Sequence, residues 1–108
     1  MKLDELSIFV LHLMDKVKAF DNQYTLIRVF GKAELLPGRI FRTLDYLVDC
    51  NLLEIAKIMY TVKYYRLTQK GKSTLAENYD AEGMRNFVNT IDKTGYYENL
   101  LNLMGNDE

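Results

Sequence analysis

Between residues 37 and 67 the spacing of apolar residues switches from helical to alternating, with no linker between the two patterns. Ile40, Phe41, Leu44, Leu47 and Val48 recur at intervals of three and four, the stripe of an amphipathic helix. Pro37 suits a first helical turn, where its missing N–H is not needed. Asn51 suits the end, because it tolerates the left-handed conformation next best to glycine. The segments "LLEIAKI" (52–58) and "VKYYRL" (62–67) follow at once, partly alternating and rich in Val, Ile, Leu and Tyr. Joined by "MYT" (59–61), they predict a β-hairpin. Its tip has no Gly or Asn, so the turn type stays open. Alternation sends one of Tyr64 and Tyr65 inward.

The flanking segments read as helices. Over residues 3–19, Leu3, Leu6, Phe9, Val10, Leu13, Met14 and Val17 form one wide apolar face. His12 falls off that stripe, beside Ile8 and Lys16, and is expected at the surface. Asp21 is the expected cap of a second helix over 22–30, with Tyr24, Ile27 and Phe30 inward. Gly31 ends it by a left-handed turn, and a polar "KAE" (32–34) leads to the third helix. The third helix has Leu36 where a capping side chain is preferred. Thr68 caps a fourth helix over 69–79, with Leu75 inward. Gly71 in its first turn costs about 1 kcal/mol against Ala, and close approach of another backbone is the expected compensation. Two short periodic segments close the chain, Met84, Phe87, Val88 and Ile91, then Tyr97, Leu100, Leu101 and Met104, separated by Gly95. The last four residues are expected to fray.

Composition excludes several classes. At 108 residues and 48% apolar, the chain is one modest core that a dimer would enlarge. No apolar run nears the roughly 20 residues that span a bilayer. "LSIFVLHLM" (6–14) is preceded by acidic Asp4 and Glu5 where a signal peptide is basic. The single Cys50, read as a small buried hydrophobe, excludes a disulfide framework and points to a reducing cytoplasm. One His and one Cys leave little for zinc, and Gly71-Lys72-Ser73 lacks the upstream glycine of a phosphate loop. No cofactor is implied, and no nucleophile–base pair marks an enzyme. The net charge of −1 hides a segregation: residues 31–72 carry eight basic against four acidic side chains, and residues 73–108 two against seven. A basic middle matters more than the total for recruiting a polyanion.

"LPGRIFRTLDYLVDCNLLEI" followed by "YYRLTQKGKSTLAE" resembles the winged-helix transcription regulators of the PadR and MarR type. Phe41, Arg42, Leu44 and Leu47 match the family's recognition helix. Asn51-Leu52-Leu53-Glu54 match its end, with Asn in place of Gly. Tyr65 to Lys72 match the wing's last strand and the Leu-Thr-x-x-Gly-Lys after it. The match covers about residues 36–77. It implies a mainly α, α+β winged helix-turn-helix domain over residues 1–80, with a two-stranded β-hairpin wing. It also implies C-terminal helices over 81–108 that dimerise, and a homodimer on double-stranded DNA. The third helix would enter the major groove, and the wing would lie near phosphates.

The residues supply chemistry for this. Arg39, Arg42, Thr43 and Tyr46 share the third helix's polar side. Arg pairs with guanine, Thr touches a thymine methyl, and Tyr bonds to phosphate. Lys57, Lys63 and Arg66 on the hairpin are candidate phosphate contacts. Lys70 and Lys72 read as solvated. Asp45 and Asp49 oppose phosphate on the same helix, and Ile58, Met59 and Tyr60 make an apolar tip. The sequence therefore carries two expectations. One is a cytoplasmic DNA-binding regulator reading a pseudo-palindrome as a homodimer. The other is a winged-helix protein-interaction module of a transcription, replication or plasmid-maintenance assembly.

Overall fold

A computed structural model describes residues 2–33 and 35–105, with side chains through residue 102. Glu34 of the expected turn, the Met104 side chain and the final three residues lie outside the described set. The described chain is mainly helical, with one two-stranded antiparallel sheet. The order is α1 (Glu5–Lys16), a 3-10 turn (Lys18–Phe20), α2 (Gln23–Phe30), α3 (Pro37–Asp49), β1 (Leu53–Met59), β2 (Val62–Leu67), α4 (Gln69–Asn78), α5 (Ala81–Ile91) and α6 (Tyr96–Gly105). This is compatible with a winged-helix-like layout.

Asp4 starts α1 by accepting the Ser7 N–H at 2.8 Å. Every residue from Leu6 to Leu13 is then buried. His12, expected at the surface, is only 5% exposed. The cause is that α1 is the central helix, with α3, α4, α5 and β2 all packed against it. A helix enclosed on all sides has no solvent stripe. The His12 ring stacks on Tyr79, with centroids 4.4 Å apart. Burial, then the Lys16 charge, push its pKa below 6.5, and Asp15 only partly opposes them.

Asn22, not Asp21, caps α2, accepting the Thr25 N–H at 2.9 Å. The Asp21 carbonyl instead accepts the Tyr65 N–H at 2.7 Å, and Asn22 bridges Tyr64 beside β2. The inward residues are Leu26, Val29 and Phe30, while Tyr24 is 62% exposed. Tyr24 lies two residues from Leu26, about 200° around the helix, and so points away from the core. Gly31 is right-handed, with φ −63°. The chain does not need a reversal there, because the Ala33 N–H closes a tighter bond on the Phe30 carbonyl at 3.1 Å.

In α3, Ile40, Leu44 and Leu47 are buried as expected, but Phe41 is 40% exposed. The helix ends as its sequence requires. Asn51 takes φ 62°, the Leu52 N–H reaches the Leu47 carbonyl at 2.9 Å, and the Asn51 N–H reaches Val48 at 3.0 Å. These two bonds satisfy the last carbonyls, and Leu47 and Leu52 are both fully buried.

The strands pair from Leu53↔Leu67 to Met59↔Val62, with a bulge between Ile55 and Lys57. Tyr65 is the inward tyrosine. Tyr60 and Thr61 form the two-residue tip at φ 50° and 68°. Both angles positive define a type I′ turn. Thr68 then caps α4, accepting the Gly71 N–H at 2.8 Å, while its own N–H reaches the Leu52 carbonyl at 3.2 Å. The expected close approach at Gly71 is present. A Cβ there would run into the Leu52 carbonyl oxygen and stand 3.0 Å from its carbon.

The terminal helices share this core. Asp80 caps α5, accepting the Gly83 N–H at 3.0 Å. Gly95, at φ 79°, turns the chain into α6. Phe9 meets Phe30, Phe87 and Tyr97 edge to face at 5.8, 6.0 and 6.4 Å. The Tyr97 hydroxyl donates to the Val29 carbonyl at 2.5 Å. Burial pushes the Tyr97 pKa to about 12. Met84, Phe87, Val88, Tyr97 and Leu101, expected to face a second copy, are buried inside this chain. The boundary drawn after residue 80 divides segments that share one core.

Two outcomes follow from this packing. Gly71→Ala lowers the urea midpoint, with a loss of about 1–3 kcal/mol from overpacking. Gly38→Ala, which meets only Arg42 Nη1 at 3.5 Å, is neutral or stabilising. The unfolded chain protonates His12 before the folded one does. Stability is therefore full above about pH 6.5 and declines as pH falls below it, before the carboxylates titrate. His12→Phe removes that decline, read as thermal midpoint against pH.

Candidate nucleic-acid interface

The outer side of α3 divides into two rows. Arg39, Arg42 and Tyr46 are exposed. With Thr43 they line a recess of about 310 Å3 whose other wall is the cap Asp4 and Ser7 at the start of α1. Among the described residues neither arginine has an ion-pair partner. The Cys50 side chain, one turn on, is the main cause that raises the Tyr46 phenol pKa. Thr43 does not share this exposure. It is 9% exposed, and its hydroxyl donates to the Arg39 carbonyl at 2.9 Å. Its hydroxyl is occupied by the bond back to residue i−4, and its burial leaves little of its methyl open to a thymine. Cys50 is half-buried at the helix end rather than in the core.

The second row is Phe41, Asp45 and Asp49, spaced by four along α3 and exposed. Its first residue, Phe41, faces the hairpin. Phe41 lines a groove of about 350 Å3 with Tyr24 and Ile27 of α2 and Thr61 and Val62 of the tip. The Asp45 charge acts on the Tyr65 phenol, whose pKa burial already raises. Sequence reading missed this groove. Its signals were present in an α2 stripe of Leu26, Val29 and Phe30, which leaves Tyr24 outward, and in an α3 stripe centred on Ile40, Leu44 and Leu47.

The hairpin candidates separate. Lys57 and Lys63 flank the tip on opposite faces of the ribbon, because Lys57 pairs with Tyr64 while Lys63 pairs with Ile58. The Lys57 ammonium sits 4.8 Å from the Tyr64 ring centre. The Lys63 N–H donates to Gln23 Oε1 at 3.3 Å, tying the tip to α2. Arg66 belongs to the hairpin base. Its Nε lies 2.6 Å from Glu54 Oε1, directly across the ladder. Such an exposed pair adds little stability, but it neutralises the charge that was assigned to phosphate. The three sets therefore stand apart: the α3 recess, the tip lysines and the base of the ribbon. No protein-family model, no curated protein and no solved structure matches this chain.

The tip itself is strained. Left-handed backbone costs roughly 1–2 kcal/mol per non-glycine residue, and a β-branched residue there is an outlier. Replacing Tyr60-Thr61 with Asn-Gly keeps the turn and raises stability by about 1 kcal/mol or more, measured by chemical denaturation.

Proposed function

We propose that this chain is a winged helix-turn-helix regulator of transcription that binds duplex DNA in a sequence-dependent way in the cytoplasm. In this reading α3 enters the major groove and the hairpin is the wing on the backbone. The observation that carries it is the exposed row of Arg39, Arg42 and Tyr46 on α3, with both guanidinium groups unpaired among the described residues. At 13 residues α3 is about 20 Å long, and a helix is the element that the major groove admits. Asn22 bridging β2, with the Gln23 side chain on Lys63, fixes the ribbon to the start of α2. That supports treating α2, α3 and the ribbon as one rigid reading head. Arg39 and Arg42 read bases, Tyr46 meets a phosphate, and Lys57 and Lys63 meet the backbone on either side of the tip. Thr43 and Arg66 drop out of the contact set. The tail faces expected to dimerise are buried in this chain's own core, so the duplex reading is made for a single chain.

One observation favours the protein-interaction reading. The groove at Tyr24 and Phe41, with the tip at Ile58, Met59 and Tyr60, is an exposed apolar surface. Such surfaces mark protein contacts. A gel-shift titration at about 50 and 200 mM salt separates the two readings, because phosphate contacts weaken steeply over that range. The Arg39→Ala/Arg42→Ala double variant loses about 1–3 kcal/mol per lost base contact, with an unchanged melting temperature. Wild-type affinity in that variant, or no duplex binding by wild type at the lower salt, contradicts the proposal.

A further inference from the structure

Four features of the α3–hairpin side have no role in the duplex reading. Asp45 and Asp49 stand exposed on a helix meant to meet phosphate. Phe41 is exposed beside them. The tip presents Ile58, Met59 and Tyr60 to solvent, with Tyr60 94% exposed. Its strained turn holds that tyrosine at the outermost point.

Taken together, these features are complementary to one another. The tip segment 57–63 is an apolar knob with two cations, Lys57 and Lys63, and no acid. The α3 row has an apolar residue at the groove, Phe41, followed by two acids. Among the described residues none of the four charged groups has an ion-pair partner. A surface that carries both a knob and its matching groove satisfies a two-fold axis, where each contact occurs twice. One molecule cannot satisfy itself, since its own Thr61 and Val62 already form one wall of the groove.

We infer that a second copy of this chain covers this face, the wing tip of each protomer packing against the Phe41–Asp45–Asp49 row of its partner. Burying the tip and the groove supplies the apolar area, and the two tip cations, reaching from either face of the ribbon, lie opposite Asp45 and Asp49 and set the register. This inference stands apart from the duplex reading, because it uses the other row of α3. It also bears on that reading. A face-to-face dimer covers α3, so self-association and insertion into a groove exclude each other, and the dimer is a form held off DNA.

Sedimentation equilibrium with a charge exchange tests it. Wild type is a dimer at micromolar concentration, and added salt weakens it as the ion pairs are screened. Asp45→Lys/Asp49→Lys faces only cations in a homodimer, and Lys57→Glu/Lys63→Glu faces only acids, so each is a monomer with wild-type circular dichroism. Mixed in equal amounts, they form a one-to-one heterodimer in which both contacts are opposite in sign. A monomeric wild type, reversed variants that dimerise like wild type, or a mixture that stays monomeric overturns the inference. Tyr60→Ser, fully exposed and outside the core, is the independent variant if a reversal fails to fold. It weakens the dimer here and leaves it unchanged if the inference is wrong. Because the readout is mass without DNA, failure of duplex binding does not affect it.

Discussion

The backbone joint between the end of α3 and the start of α4 organises the rest of the molecule. The Leu52 carbonyl accepts the Thr68 N–H, and the absent side chain of Gly71 lets it approach. The Thr68 hydroxyl bonds Asn51 and caps Gly71, and the Lys70 ammonium reaches the Cys50 carbonyl at 3.1 Å. The two ends of the hairpin are thereby held together at the base. The strands start one residue after Leu52 and stop one residue before Thr68. This joint sets where the ribbon leaves α3, and the ribbon's contacts with Asp21, Asn22 and Gln23 hold it against the start of α2. A side chain at residue 71 would push the two helices apart and swing the ribbon away from the groove it helps to form.

Around that joint, α1 is enclosed and the terminal helices complete the enclosure. Phe9 is the common neighbour of Phe30, Phe87 and Tyr97. The Tyr97 hydroxyl meets the Val29 carbonyl near the end of α2, where helical carbonyls lack partners. A chain this small buries a limited share of its surface, and using the last helices in its own core is the economical solution. The apolar surface left over lies at the ribbon tip and beside Phe41. Those are the positions where the two proposed interactions meet.

How much was legible depended on how local each signal was. Pro37, Asn51, Thr68 and Gly71 act through their own backbone or through residues a few positions away, and the elements they bound were readable. Asn22 and Asp21 are both competent caps, and choosing between them required knowing that the Asp21 carbonyl pairs with Tyr65. Tyr24 was misplaced for a separate reason: Tyr24, Ile27 and Phe30 recur by three, but the stripe that packs inward is Leu26, Val29 and Phe30. His12 was misplaced because periodicity reports one buried stripe, whereas α1 is covered on every side. Thr43 shares a helix side with Arg39 and Tyr46, and its burial beside the start of α1 removes it from the exposed set. Arg66 is neutralised by Glu54 twelve residues earlier, a pairing that requires the register of the ladder. The apolar faces of the last helices look the same in sequence whether a core or a second molecule covers them.

The central claim is that the outer side of α3 and the ribbon tip form the working surface, while α5 and α6 only complete the core. Residue-resolved NMR of the amide groups, titrated with a short DNA duplex at low salt, tests it most directly. The account predicts shifts concentrated at residues 39–46 and 57–63, with α5 and α6 unmoved. Shifts centred on α5 and α6, or none at any duplex concentration, would contradict it.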